Sequence, residues 1–191
     1  MDSVLLQHEY PPGTVIEIGE HRIMVIEYCD ENPGLVKVIL INWNGDKEKF
    51  GDNSDWNMSS LRQKMNYGET YKKIQKIFGE SGLYYFPREI ATIGGIMQGT
   101  SCDIVSLLTI EEYSKYRELF DGKFDHTWWL LTPRSSIGHG DELSVFYVLK
   151  NGLVDFQLCG FRAGILPVVT TDISIFNNKV IKFGKKRRKE I

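Results

Sequence analysis

The sequence is poor in cysteine and contains no long hydrophobic run. Its 191 residues include three cysteines, an odd number with no CxxC pair, which excludes a disulfide-stapled scaffold and a Cys-based zinc site. No segment approaches the roughly 20 apolar residues of a membrane helix. The first nine residues show neither a basic leader nor a small-residue cleavage site, so we expect a cytoplasmic protein that does not contact a membrane.

The body of the chain also lacks a basic surface. Lys and Arg number 23 and Asp and Glu 25, but five of these cations and only one anion lie in residues 185–191, which leaves a net charge of −6 on residues 1–184. An acidic body does not bind nucleic acid through a broad positive field. The basic tail comprises Lys185, Lys186, Arg187, Arg188 and Lys189. This tail could contact nucleic acid, act as a localisation signal or stay solvated.

Apolar alternation predicts β-structure at both ends of the chain and helices between them. Residues 14–43 are predicted to form a three-stranded meander, with Gly19 and Glu20 in a type II′ turn and a longer turn over residues 30–34. Residues 56–120 form the helical part. One helix starts at Ser59 or Ser60 and runs to Gly79, and a second starts with the capping box of Thr109 and Glu112 and ends near Phe120.

The C-terminal part, residues 128–183, is predicted to form a sheet. In the run WWLLTP, adjacent Trp128 and Trp129 place one indole on each face of a strand that Pro133 ends, which indicates a central strand. A second central strand is expected near Phe161. The pair Asn151 and Gly152 predicts a two-residue type I′ hairpin.

Arg162 stands in an otherwise apolar run over residues 158–167. A buried guanidinium cannot lose its proton and needs an anionic or carbonyl partner. We expect that partner to be Asp103, with Glu111 and Glu112 as fallbacks, and we expect removal of Arg162 to cost about 3–5 kcal/mol. The order of elements predicts one α+β domain over residues 14–184, preceded by a lead-in of residues 1–13 and followed by the tail of residues 185–191.

Four segments, taken in order, resemble a known family. Residues 56–66 are similar to the pattern W-x-x-S-x-L-R-x-x-x-N, and residues 103–113 to D-x-V-x-L-L-S-x-E-E-Y. Residues 128–133 resemble W-W-L-R-S-P, with Leu131 in place of Arg, and residues 160–164 resemble G-V-R-P-A, with Ala163 and Gly164 in place of Pro-Ala. Together they resemble an uncharacterised domain family of bacteria and their phages related to the C-type-lectin-like fold, which includes formylglycine-generating enzymes and phage receptor-binding proteins.

The resemblance implies a single C-type-lectin-like domain with a mixed or antiparallel central sheet and two main helices. It implies no settled activity. C-type-lectin-like domains bind ligands on loops near their central strands, so we expect a non-catalytic module that recognises a protein or a glycan. The candidate contacts follow or belong to the Trp strand and are Trp129, Arg134, His139, Asp141 and Glu142. A place in a virion is an alternative to the cytoplasm.

Two further hypotheses stay open. A small acidic protein of phage origin is able to act as an intracellular inhibitor of a host defence nuclease, because its surface competes for a groove that normally holds nucleic acid. A divergent formylglycine-generating-like enzyme would need Cys102 and Cys159, and a hydrolytic site would need His126 or His139 beside Asp125 or Asp141. No group of residues has metal-ligand spacing, so neither a metal nor another cofactor is expected.

Overall fold

Thirteen strands and three α-helices make up the described part of the chain. The structure is a computed structural model, and it describes residues 9–43, 45, 47–120, 125–135 and 143–176. The described chain is mixed α+β, with mostly antiparallel sheets. The strands are β1 Val15–Ile18, β2 His21–Cys29, β3 Asn32–Leu40, β4 Glu48–Lys49, β5 Leu83–Tyr84, β6 Phe86–Ala91, β7 Met97–Asp103, β8 Val105–Ser106, β9 Trp128–Pro133, β10 Ser144–Val148, β11 Val154–Leu158, β12 Arg162–Ala163 and β13 Val168–Asp172. The helices are α1 Ser60–Tyr67, α2 Glu69–Phe78 and α3 Ile110–Tyr116.

The turns of the meander follow from its glycine and polar residues. Ile18 lies opposite His21, and Gly19 has a φ of 62°, so the predicted two-residue turn is confirmed. The turn between β2 and β3 is tighter than predicted, because Cys29 pairs with Asn32 and only two residues lie between them.

The strand that completes the large sheet comes from the far end of the chain. The sheet has the order β1-β2-β3-β13-β5, and β8 also pairs with β13. The prediction that the Trp strand is central to this sheet is wrong. Strand β9 belongs to a separate three-stranded sheet of order β11-β10-β9, and β12, next to Phe161, pairs only with β4.

The two adjacent tryptophans nevertheless point to opposite sides, as predicted, and both are fully buried. Trp129 packs in the core that lies between the large sheet and helices α1 and α2. Trp128 packs in a second core, on the other side of the sheet, with Tyr113 of α3. Strand β9 therefore contributes side chains to both cores, although it is not in the largest sheet.

The helix starts are set by local side-chain caps. The Ser59 hydroxyl accepts hydrogen bonds from the N–H groups of Leu61 and Arg62 at the start of α1. The predicted capping box of Thr109 and Glu112 is present at the start of α3. The first predicted helix is divided at Gly68, where a Cβ atom would lie 2.9 Å from the Lys64 carbonyl oxygen. Glycine at this position permits the chain to pass close to the last turn of α1, where the Gly68 N–H donates to the Lys64 carbonyl.

The hairpin at Asn151 and Gly152 forms, but not with the predicted turn. The Leu149 N–H donates to the Leu153 carbonyl, which leaves a loop of three residues. Gly152 has a φ of 77°, whereas no other residue type in the described ranges has a positive φ. A type I′ turn requires positive φ at both central residues, so the turn is a type I turn that ends in a left-handed glycine.

Every helix in the described ranges is too short or too polar to cross a bilayer.

Candidate functional site

Asp103, at the end of β7, is the centre of a buried polar cluster. It is 1% exposed. One carboxylate oxygen accepts hydrogen bonds from the Trp56 indole N–H and the Ser101 hydroxyl, and the other accepts from Arg62 Nε, all at 2.7 Å. Three donors satisfy a carboxylate that would otherwise be costly to bury. The cluster therefore fixes α1 and the turn before it against β7.

Asn66 strengthens the same contact from the other end of α1. Its amide oxygen accepts the N–H groups of Ile104 and Val105, both at 3.0 Å, and its amide nitrogen donates to the Val105 carbonyl at 2.8 Å. These bonds hold the chain where it passes from β7 to β8. The polar residues of the first two sequence motifs are thus used in internal contacts that hold the fold.

The predicted ion pair between Arg162 and Asp103 is wrong. Arg162 is exposed and donates one hydrogen bond, from Nη1 to the Lys47 carbonyl at 3.1 Å. Neither fallback partner, Glu111 or Glu112, contacts it in the described structure. Successive side chains of a strand point to opposite faces. In β12 the Ala163 side chain points inward, so the Arg162 side chain points outward.

Glu112 is the centre of a second ion-pair cluster, and its partners were not predicted. Its carboxylate forms a bidentate pair with Arg88, with both N–O distances 2.6 Å, and lies 3.1 Å from Lys37 Nζ. Arg88 is only 5% exposed and also donates to the Leu107 carbonyl. Burial by itself raises the pKa of Glu112, but the hydrogen bonds and charge of Arg88, the charge of Lys37 and the Thr109 amide outweigh it and lower the pKa to about 2.

The ligand contacts predicted from the sequence belong to β9 and to the segment that follows it. Trp129 does not lie on the surface, because it is fully buried and its indole N–H donates to the Glu48 carbonyl at 2.8 Å. Arg134 is half-buried, and its guanidinium lies 3.7 Å from the centre of the Phe156 ring. The candidate contacts His139, Asp141 and Glu142 lie outside the described residues.

An exposed apolar patch borders this loop on the β10–β11 hairpin. Leu143 at the end of the loop is 50% exposed, Phe156 is 40% exposed and Leu158 is 57% exposed. Phe156 and Leu158 are two residues apart on β11, so they lie on one face of the strand. Large apolar side chains that are grouped on a surface mark interaction sites more often than scattered ones do.

A second exposed apolar group lies at the tip of the β6–β7 hairpin. Ile93 is 61% exposed, Ile96 54% and Met97 52%. The next residue, Gln98, donates a hydrogen bond to the Ser135 carbonyl at 2.7 Å, which ties β7 to the start of the loop. Each hairpin therefore carries exposed apolar side chains next to one described end of the segment between β9 and β10. We call this set of residues the loop surface: Leu143, Phe156, Leu158, Ile93, Ile96, Met97 and Arg134.

The free edge of β11 is closed to strand pairing. In the register with β10, the N–H groups of Phe156 and Leu158 point away from the partner strand. The Phe156 N–H donates to the Asp155 carboxylate at 2.8 Å, and the Leu158 N–H to the Gln157 side chain at 3.0 Å. Such capping protects an edge against added strands, so a partner of the loop surface meets side chains and not backbone.

No family model, curated protein or solved structure matches this chain. The resemblance to a C-type-lectin-like family stays a prediction, and the loop surface has to be judged on its own chemistry.

Four of the groups proposed for an enzyme, Cys102, Cys159, His126 and Asp125, lie in the described residues. Cys102 is exposed on β7, whereas Cys159 is buried, and burial raises the pKa of the Cys159 thiol to about 12. Burial also lowers the pKa of His126, whose ring packs against Gly164 so closely that a Cβ there would lie 2.1 Å from it. No hydrogen bond or ion pair joins His126 to Asp125 in the described structure.

The remaining predictions concern the basic tail and metal binding. The basic tail, residues 185–191, lies outside the described residues. Within the part of the chain that is described, no three His, Cys, Asp or Glu side chains are grouped so that they could hold a metal ion.

Proposed function

We propose that the chain is a non-catalytic binding module, of the C-type-lectin-like kind that its sequence motifs resemble, and that it recognises a protein through the loop surface. The observation that carries this proposal is the exposure of six large apolar side chains on two hairpins that border one loop. Burial of such side chains against a partner removes apolar area from water, which favours association.

The chemistry of the loop surface favours a protein over a glycan. Sugars stack on the open face of an aromatic ring, but one face of the Phe156 ring is covered by the Arg134 guanidinium, and its edge meets Phe146. The other described apolar side chains of this surface, those of Leu143, Leu158, Ile93, Ile96 and Met97, offer no hydrogen bonds to sugar hydroxyls. Aromatic residues, Met and Arg are enriched in protein interfaces, and this surface has all three.

Paired variants test the proposal. We expect the double variant Phe156→Ser and Leu158→Ser to lose a protein that the parent chain captures from bacterial lysate, by about tenfold or more in quantitative mass spectrometry. The control is Tyr67→Ser, which removes a large side chain that is 63% exposed on α1, outside the loop surface, and this variant should capture the same protein. Equal capture by all three chains, or specific binding of the parent to a glycan array without a protein partner, would contradict the proposal.

A further inference from the structure

A concave region of the molecule shares no residue with the loop surface. It is a cleft of about 780 Å³ between the β1–β2 turn, the segment after β3 and helix α2. This volume is within the range of about 300–1,000 Å³ that is usual for small-molecule sites. It is also several times larger than an inorganic phosphate or a single metal ion requires.

The floor of the cleft is apolar. Ile18 of β1, Trp43 after β3 and Ile77 of α2 line it, and each is exposed by 6% or less. All three belong to the same core, so the floor is supported from behind by packed side chains. One rim is also fixed, because the Asn42 side chain accepts from the Arg22 N–H and donates to the Glu20 carbonyl. The cleft is therefore preorganised rather than formed by a ligand.

One wall of the cleft carries two lysines whose ammonium groups form no ion pair with a described residue. Lys73 and Lys76 lie three residues apart on α2, both are exposed, and neither forms an ion pair with a described residue. Lys72 on the same helix, by contrast, pairs with Glu69 at 2.7 Å. Like charges at this spacing repel each other on a helix. The only carboxylate that lines the described part of the cleft is that of Glu20, which is 90% exposed and lies 3.9 Å from His21.

The indole N–H of Trp43 is the second unusual feature of the cleft. Trp43 is 6% exposed, and its Nε1 has no hydrogen-bond acceptor in the described structure. A buried donor without a partner is costly. Gly45, which also lines the cleft, faces this nitrogen, since a Cβ on it would lie 2.3 Å from Nε1. The glycine backbone therefore covers the N–H, and a residue with a side chain at this position would clash with the indole.

We propose that this cleft binds a small organic anion that has a ring and an acidic group. The ring packs on the apolar floor, of which Trp43 forms part, and the acidic group meets Lys73 and Lys76. Lys73 and Lys76 provide positive charge for the acidic group, and the volume of the cleft leaves room for a ring on its apolar floor. This site is independent of the loop surface and of the proposed partner there.

The test follows the four tryptophan indole N–H signals in ¹H–¹⁵N spectra during titration with adenosine 5′-monophosphate and with 1-naphthoate. We expect at least one of these anions to shift the Trp43 signal in a saturable way, while adenosine and inorganic phosphate do not. Lys73→Gln with Lys76→Gln should weaken that binding about tenfold or more. The control pair, Lys72→Gln with Lys115→Gln, removes the same charge from exposed positions outside the cleft and should leave binding within twofold.

Four outcomes would overturn the proposal. The first is that neither anion moves the Trp43 signal at millimolar concentration. The second is that adenosine shifts it as strongly as its monophosphate. The third is that inorganic phosphate alone gives the same shift, which would mark an adventitious ion only. The last is that both lysine pairs weaken binding equally, because the effect would then come from net charge and not from the cleft.

Discussion

Glu112→Gln is expected to destabilise the fold by about 3–5 kcal/mol at pH 7, as measured by urea unfolding. The substitution removes the anion but leaves the Arg88 guanidinium, 5% exposed, without its bidentate partner. Loss of one member of a buried ion pair is costly for this reason. It also weakens the capping box, because the Glu112 carboxylate accepts the Thr109 N–H.

The same residue predicts an acid dependence of stability. The pKa of Glu112 is lowered from 4.5 to about 2 in the folded chain, so the unfolded chain binds the proton more tightly. The stabilisation is therefore fully present above about pH 4.5 and is lost as the pH falls towards 2; the whole effect is on the order of 3 kcal/mol. The difference in unfolding free energy between the parent and Glu112→Gln should shrink across that window.

Glu111→Gln is the matched control for both measurements. Glu111 is the exposed neighbour of Glu112 in the first turn of α3, so its substitution removes the same charge without breaking a buried pair. We expect a change below about 0.5 kcal/mol. A Glu112→Gln variant as stable as Glu111→Gln at pH 7 would show that the Arg88 pair does not hold the fold.

Asp103→Ala is expected to cost a similar amount, about 3–5 kcal/mol. It removes three hydrogen bonds at once and leaves the buried Trp56 Nε1 and the partly buried Arg62 guanidinium without this acceptor. Adding Arg62→Met to this variant should recover part of the loss, because no unpaired charge then remains. Urea unfolding of the parent, both single variants and the double variant measures the coupling between the two residues.

Arg162→Ala is the control that separates the structure from the sequence prediction. Arg162 was predicted to be the buried partner of Asp103, with a large cost on removal. Because it is exposed and makes one hydrogen bond to a carbonyl, its removal should now cost less than about 1 kcal/mol. If Arg162→Ala unfolded as easily as Asp103→Ala, the position of β12 in the structure would be contradicted.

The sequence by itself determined those features that depend on neighbouring residues. The capping box of Thr109 and Glu112, the N-cap at Ser59 and the glycine turn at Gly19 were all predictable, since each is decided by side chains within a few residues of one another. The opposite directions of Trp128 and Trp129 also follow from the alternation of a strand. The sequence did not predict Arg62 as the partner of Asp103, because that place was assigned to Arg162.

The tertiary structure alone decided which distant segments meet and which faces stay in water. Apolar alternation says that a strand has an apolar face, but it does not name the partner strand, so β13 was not expected beside β3. Phe156 and Leu158 alternate with polar residues, which is typical of a strand with one buried face, yet both side chains are exposed. Arg88 reaches Glu112 across 24 residues, and Lys37 across 75, so no local pattern predicts the cluster. The cleft likewise exists only because three separate segments meet, which is a result of packing free energy and not of any local sequence signal.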